Sequence, residues 1–303
     1  MKKPRHAAMV DAAVAALVAG LLGATASTAQ AQEAHYYILI GGTCDSNATA
    51  YNDVWLRGGI RRVVHYPAGA AGAPNCDQTP MDQSVAQGHE EAKRVVRAAY
   101  SESPGALFTV VGYSQGAIVA NMVLNDIADG SLGVNKSRFT AKLFADPMQP
   151  VGPPGRGISA VIPAGSGAPS PFGGYVSYGP GRMDFSGIPF IRYCIDTDGA
   201  CHFDTVEAAG GYFAQHQCYQ WPRPDGRSIM GDTIADGVYT NASQPLPKQN
   251  CHPSWPTLAG GGSVHPELAD RYVTAQVGER RFGAGAGKQQ GPAAGSSPGF
   301  STL

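Results

Sequence analysis

The hydrophobic and polar positions of this chain alternate between short apolar runs and longer amphipathic segments. Residues 84–100 place Val85, Ala92 and Val95 on one face of a predicted helix, opposite charged side chains, and residues 117–127 predict a second, more apolar helix. Five runs bounded by Gly, Pro or polar residues predict strands, at 36–40, 61–66, 107–111, 141–145 and 190–194. Strands that alternate with helices favour an α/β fold with a mostly parallel central sheet and helices on both faces.

Two long stretches lack a regular pattern. Residues 151–189 are rich in Gly, Pro and Ser and are longer than an ordinary connection, which indicates a lid-like or substrate-binding insertion. Residues 219–262 are predicted to be an irregular extension. A closing helix is predicted at 266–277, and the composition of residues 282–303 indicates a disordered tail. We therefore expect one α/β domain over residues 32–281.

The amino-terminal pattern is typical of an exported protein. A basic start at residues 1–5 precedes an apolar run at 12–24 and a small-residue cleavage site at Ala29–Ala31, so residues 1–31 are predicted to be a secretory signal peptide. The apolar run is shorter than the roughly 20 residues that span a bilayer, so no stable membrane span is expected. The predicted location is extracellular, and the alternative is association with the cell envelope.

Charge and cysteine content restrict the partners. The net charge is −1 without a Lys/Arg-rich stripe, which argues against nucleic-acid binding. Six cysteines, an even number, suit disulfides in an exported chain. The short Cys194–Cys201 interval is the first predicted pair, and Cys218–Cys251 and Cys44–Cys76 follow as sequence neighbours. No C-x-x-C spacing occurs to start a zinc site, so no metal site is expected. No other cofactor is expected either, and the sequence leaves the oligomeric state open.

A candidate nucleophile lies in the G-x-S-x-G pattern at residues 112–116. The pattern also occurs at residues 295–299, in the low-complexity tail, so the five residues alone carry little weight. The first copy lies between the predicted strand 107–111 and the predicted helix 117–127. In this strand–turn–helix setting a serine is held in a strained conformation with its hydroxyl exposed, which makes Ser114 the predicted nucleophile.

Two backbone N–H groups are candidates for an oxyanion hole. Gln115 begins the helix after the nucleophile, so its N–H is expected to point at the oxygen that becomes negative during acyl transfer. The second donor in such a fold comes from the loop after an early strand. Gly41-Gly42-Thr43 has this position, and Thr43 is the predicted donor.

A serine nucleophile needs a histidine base and a carboxylate that orients it, in the chain order Ser, Asp or Glu, His. Asp146 precedes Pro147 and is interpreted as a turn residue, which leaves Asp196 and Asp198. Of the later histidines, His202 is tethered near the cysteine loop and expected at the surface, and His265 is expected at a helix start. His216 and His252 both neighbour the predicted Cys218–Cys251 pair, so the residues alone leave the base open.

Several of these motifs resemble one family group. Residues 112–117 resemble the nucleophile turn of cutinase-like esterases, of lysin B and of the PE-PPE domain. Residues 81–88 are similar to the helix-entry motif of the PE-PPE domain, and residues 144–148 resemble the strand end shared across the group. The resemblance extends from residue 36 to about residue 220.

The resemblance implies an α/β-hydrolase fold and a site. Asp198, four residues after Cys194, has the spacing of the cutinase acid loop, which favours it over Asp196. His216 matches the H-x-x-Y element that carries the family's base, whereas the longer insertion of lysin B favours His252 as the alternative. The implied function is a serine esterase acting on carboxylic or lipid esters through an acyl-enzyme. Alternatives are an acyltransferase that uses envelope sugars or lipids, and a non-catalytic exported binding protein.

Overall fold

A computed structural model describes residues 33–167 and 175–254 of the chain. The predicted signal peptide, the closing helix, His265 and the tail lie outside these residues. Within them the sheet has six strands: β1 His35–Ile40, β2 Ile60–Val63, β3 Leu107–Tyr113, β4 Phe139–Phe144, β5 Phe190–Ile195 and β6 Ala242–Leu246. The described helices are α1 Met81–Glu102, α2 Gln115–Ala128, α3 Ile158–Val161, α4 Val206–Gln215 and α5 Ile229–Thr233.

The sheet is entirely parallel, in the order β2-β1-β3-β4-β5-β6. This confirms the predicted fold class. β3 lies inside the sheet and is buried from Phe108 to Tyr113, which explains why its sequence is continuously apolar rather than alternating. Because all strands run in one direction, their carboxyl ends meet at one edge, where a site is expected in such folds.

The two faces of the sheet are covered differently. On one face the long helices α1 and α2 bury an apolar cluster that includes Val85, Val96 and Val119. The opposite face is covered by shorter elements, among them Tyr51 of a single helical turn, Tyr219 and the α5 residue Met230. The many small residues of α2 allow that helix to pack closely on the sheet behind the candidate nucleophile.

The sixth strand corrects one expectation from the sequence. Residues 242–246 lie in the stretch predicted to be irregular, yet they pair in parallel with β5 at the end of the sheet. Pro245 is tolerated there because one side of an end strand needs no ladder hydrogen bonds. The polar sequence Ala242–Leu246 therefore belongs to the sheet, and α5 also falls within the supposed irregular stretch.

The beginning of the 151–189 insertion is attached to the loop that carries Asp198. The N–H of Phe203 donates to the Arg156 carbonyl at 2.6 Å, and the N–H of Ile158 donates to the Ala200 carbonyl at 3.0 Å. The Arg156 guanidinium pairs with Asp204 at 2.7 Å. These contacts place Ile158 in a wall beside the site. No helix among the described residues is long and apolar enough to cross a membrane.

Candidate active site

Ser114 lies at the carboxyl end of β3 in a backbone conformation that few residues adopt. Its φ is 56° and its ψ is −121°. The backbone segments around this turn lie so close together that no side chain fits at the flanking glycines. A Cβ on Gly112 would lie 2.6 Å from the Gly116 carbonyl oxygen, and one on Gly116 would lie 2.3 Å from the Gly41 carbonyl oxygen. The turn therefore depends on both glycines and directs Ser114 out of the sheet edge.

Three of the predicted residues meet in one hydrogen-bonded row. Ser114 Oγ lies 2.8 Å from His216 Nε2, and His216 Nδ1 lies 3.0 and 3.1 Å from the two carboxylate oxygens of Asp198. The side chains are almost fully buried, with exposed fractions of 6% for Ser114, 3% for His216 and 0% for Asp198. The row has the geometry in which a histidine accepts a serine proton while a carboxylate orients its ring.

The acid loop holds Asp198 by backbone contacts and a disulfide. Cys194 and Cys201 are joined, with their Cα atoms 5.8 Å apart. The N–H of Ala200 donates to the Asp198 carboxylate at 3.0 Å. Nearby, burial together with the charge of Asp198 raises the pKa of Tyr219 well above its usual value. The carboxylate is thus buried and oriented by the loop around it.

The backbone of His216 is fixed from two sides. The Tyr113 hydroxyl donates to the His216 carbonyl oxygen at 2.6 Å. Cys218 forms a disulfide with Cys251, which attaches the histidine turn to the segment before residue 252. Gln215 and Gln249 also exchange two hydrogen bonds, at 2.7 and 3.1 Å. The histidine is therefore anchored through its neighbours and not only through its own ring.

The other candidates lie elsewhere. Asp146 is buried with the Arg192 guanidinium, 2.8 Å from its Nε, and contacts Asn121. Asp196 has an exposed side chain.

The alternative histidines do not contact Ser114 either. His252 is exposed, with its Nδ1 2.6 Å from Ser254 Oγ. His202 was expected at the surface, but only 8% of it is exposed, because its ring packs at Gly155 and its Nδ1 contacts the Asp196 carbonyl.

The loop after β1 approaches the nucleophile turn closely. A Cβ on Gly42 would lie 2.8 Å from the Tyr113 ring, so only glycine fits at this position. The Tyr66 hydroxyl donates to the Gly41 carbonyl at 2.6 Å and fixes the loop from its other side. Thr43 follows directly and lines the same cavity as Ser114. The predicted Thr43 donor is therefore near the nucleophile.

Gln115 also lines this cavity and has a second role that the sequence did not predict. It is the first residue of α2, so its N–H belongs to the helix turn that lacks internal acceptors. Its side chain donates from Nε2 to the Gly69 carbonyl at 2.9 Å and accepts from the Ser84 hydroxyl at 3.3 Å. Gln115 thereby connects the nucleophile helix to α1 and to the loop before it.

The row opens into a cavity of about 230 Å³. The lining includes Met81, Ile118, Ile158 and Tyr175, and these side chains are apolar except for the Tyr175 hydroxyl, which bonds to Ser159. Further lining residues come from the acid loop, the segment after it and α4: Gly199, Ala200, Phe203, Ala209, Tyr212 and Phe213. Such a lining favours an apolar ligand group next to Ser114.

Comparison with protein families gives the site its context. The model of the PE-PPE domain matches residues 58–207, about half of the chain. The chain contains a PE-PPE domain. The match includes Ser114 and Asp198 and ends before the turn that carries His216. The family resemblance seen in the motifs is confirmed, whereas no curated protein matches the chain.

The solved structures that are similar to this chain include an acetylxylan esterase, a lysin B and a cutinase-like protein. The acetylxylan esterase is 23% identical, covering 62% of this chain and 91% of that chain, with a TM-score of 0.42. Lysin B from Mycobacteriophage D29 is 25% identical, covering 45% of this chain and 54% of that chain, with a TM-score of 0.34. A cutinase-like protein from Cryptococcus sp. is 16% identical, covering 59% and 86%, with a TM-score of 0.36.

Proposed function

We propose that this PE-PPE domain protein is a secreted serine esterase that hydrolyses carboxylic esters. The observation that carries the proposal is the buried row from Ser114 through His216 to Asp198, which opens into an apolar cavity. A serine hydroxyl becomes an effective nucleophile only with an adjacent base, and a base within 2.8 Å supplies that requirement.

The proposed reaction begins at the ester carbonyl carbon. Ser114 Oγ attacks this carbon while its proton moves to His216 Nε2, and Asp198 stabilises the imidazolium that forms. The backbone N–H groups of Gln115 and Thr43 donate to the negative oxygen of the tetrahedral intermediate. His216 then gives its proton to the departing alkoxide, which leaves as the alcohol, and the acyl group remains esterified to Ser114.

Water completes the cycle. His216 Nε2 accepts a proton from the water as its oxygen attacks the acyl-enzyme, and a second tetrahedral intermediate forms against the same two N–H groups. When this intermediate collapses, the bond to Ser114 Oγ breaks and His216 returns the proton to that oxygen. The products are the free carboxylic acid and the unmodified serine.

The disulfides support export of the enzyme. Three cysteine pairs are joined, at Cys44–Cys76, Cys194–Cys201 and Cys218–Cys251. Such bonds form and persist in oxidising compartments outside the cytosol. Together with the signal-peptide pattern at residues 1–31, they favour an enzyme that works outside the cell.

Hydrolysis of p-nitrophenyl butyrate by the parent, Ser114→Ala and Ser101→Ala proteins tests the proposal. Ser101 is exposed near the end of α1, so its alanine variant is the matched control and should retain full activity. Ser114→Ala should lose almost all activity with unchanged thermal unfolding. Equal rates for Ser114→Ala and the parent would end the proposal. Adding a competing alcohol separates hydrolysis, in which the acyl-enzyme yields mainly free acid, from acyl transfer, in which it yields mainly a new ester.

A further inference from the structure

The ring of His216 is stacked on aromatic rings contributed by two elements. The Tyr212 ring of α4 has its centroid 4.3 Å from that of His216, at an interplanar angle of 27°. The Tyr113 ring at the end of β3 has its centroid 5.3 Å away, at 26°. The imidazole edge remains directed at Ser114 on one side and at Asp198 on the other.

These contacts matter because the charge of His216 changes in the proposed reaction. The neutral ring becomes an imidazolium when it takes the Ser114 proton. The face of a tyrosine ring attracts a cation within about 6 Å of its centroid, and the attraction grows where water is excluded. A stacked tyrosine therefore stabilises the charged form, which resembles the transition state, more than the neutral one.

We propose that Tyr212 is a positioning residue that holds the His216 ring in its reactive orientation and stabilises its charged form through its aromatic face. This inference rests on the proposed esterase function. Burial and the charge of Asp198 raise the pKa of Tyr212, so its phenol is neutral near pH 7 and presents an uncharged ring face. The aromatic face, and not the hydroxyl, is the group that acts.

Tyr212 also connects the histidine to the substrate cavity. Its ring lines the cavity together with Ala209 and Phe213 of the same helix. α4 contacts the acid loop by close backbone approach, since a Cβ on Gly199 would lie 2.8 Å from the Ala209 carbonyl oxygen. An acyl group that fills the cavity therefore packs on the ring that stacks on His216, and occupancy of the cavity favours the reactive orientation.

Tyr212 can be separated experimentally from the other groups near His216. Those groups are Asp198 from the acid loop, Ser114 and Tyr113 from the nucleophile turn, and Tyr219 from the histidine turn. Tyr113 is fully buried and its hydroxyl holds the His216 backbone, so replacing its ring would disturb the fold. Tyr212 is only half-buried. Tyr100 of α1 is also a half-buried tyrosine with packed aromatic neighbours, Phe108 and Phe139, and it provides a matched control outside the cavity lining.

The test uses the mature protein with phenylalanine, and then mono-, di- and trifluorophenylalanine, at position 212. Fluorine withdraws charge from the ring face with little change in ring volume, so it weakens cation binding while packing is retained. With p-nitrophenyl butyrate, Tyr212→Phe should stay within about two-fold of the parent kcat. Tyr212→Leu should lower kcat by roughly 3- to 10-fold with little change in KM.

Along the fluorinated series kcat should fall stepwise, while KM and the thermal unfolding temperature stay constant. The same series at Tyr100, whose ring packs on Phe108 and Phe139, should leave kcat unchanged. A constant kcat along the 212 series, in a protein whose activity Ser114→Ala abolishes, would overturn this inference and leave the proposed function intact. A parent protein without ester hydrolysis would overturn both.

Discussion

The hydroxyl of Tyr113 donates to the carbonyl oxygen of His216 at 2.6 Å. Tyr113, which directly precedes Ser114, therefore holds the backbone of the histidine that contacts Ser114. The two residues are 103 positions apart in the chain. This bond is buried and connects the end of the central strand β3 directly to the histidine turn. The distance between Ser114 and His216 is therefore determined by the backbone as well as by the side chains.

Replacing Tyr113 with phenylalanine should weaken both the fold and the site. The variant keeps the ring but leaves the buried His216 carbonyl without this donor, which costs about 1–3 kcal/mol of unfolding free energy. We expect kcat for ester hydrolysis to fall several-fold because the histidine turn is less constrained. Tyr36→Phe is the control, since its hydroxyl donates at 3.2 Å to the exposed Glu102. Denaturant unfolding would contradict the account if both variants lost equal stability.

Removal of the two disulfides near the site should separate stability from activity. Cys218–Cys251 closes an interval of 33 residues and Cys194–Cys201 one of 7. The loop-entropy relation gives a loss of about 4 kcal/mol for the longer and about 2.5 kcal/mol for the shorter. Asp198 lies inside the shorter loop, so replacing Cys194 and Cys201 with alanine should lower kcat more. The prediction fails if the variant without Cys218–Cys251 loses more unfolding free energy and also has the lower kcat.

Replacing either of two buried aspartates with asparagine should have opposite effects on activity and on stability. Asp198→Asn should lower kcat by roughly 10⁴-fold with little loss of stability, because it removes the carboxylate that orients His216. Asp146→Asn should instead cost about 3–5 kcal/mol of unfolding free energy, because it leaves the buried Arg192 guanidinium without its counter-charge. Kinetics and denaturant unfolding of both variants check this pair, and a loss of activity confined to Asp146→Asn would contradict it.

Unfolding should become easier above pH 10. Burial, with nearby negative charges, raises the pKa of Tyr51, Tyr113 and Tyr219 well above the usual value for tyrosine, which is about 10. These phenols keep their protons in the folded protein when the unfolded chain has lost them, so their stability contribution is complete below pH 10 and decreases as pH rises. The expected decrease is about 1.4 kcal/mol per pH unit for each tyrosine.

Phenolate absorbance measures this directly. The signal of the buried tyrosines should appear together with loss of circular dichroism, and not as an independent titration at pH 10. Titration of all tyrosines with a midpoint near pH 10, in a protein that remains folded, would contradict the burial of these three rings.

Local patterns predicted much of the fold. The strand before Ser114 and the helix after it are continuous apolar segments, and the structure has both, as β3 and α2. The end strand β6 was missed, since Ala242–Leu246 carries polar residues and Pro245, which fit the end of a sheet but do not form a strand pattern. Its place depends on pairing with β5, and no local pattern records that.

For the partners of Ser114, too, local sequence predicted some features, and others depend on how distant segments pack. The disulfide Cys218–Cys251 brings His216 and His252 into one neighbourhood, so sequence distance did not separate them. In the structure His216 lies in a helical turn held by Tyr113, and its ring contacts Ser114. His252, which follows Cys251, is exposed. The stacking of Tyr212 on His216 was not predicted, because it depends on how α4 packs against the acid loop.

Covalent labelling with a fluorophosphonate probe tests the central claim most directly. Mass spectrometry of the digested protein should find the adduct on the peptide that contains Ser114. His252→Ala should label as fast as the parent, and His216→Ala should label at least 100-fold more slowly, because the serine has lost its base. An adduct on another residue, or labelling that survives in His216→Ala and disappears in His252→Ala, would contradict the account.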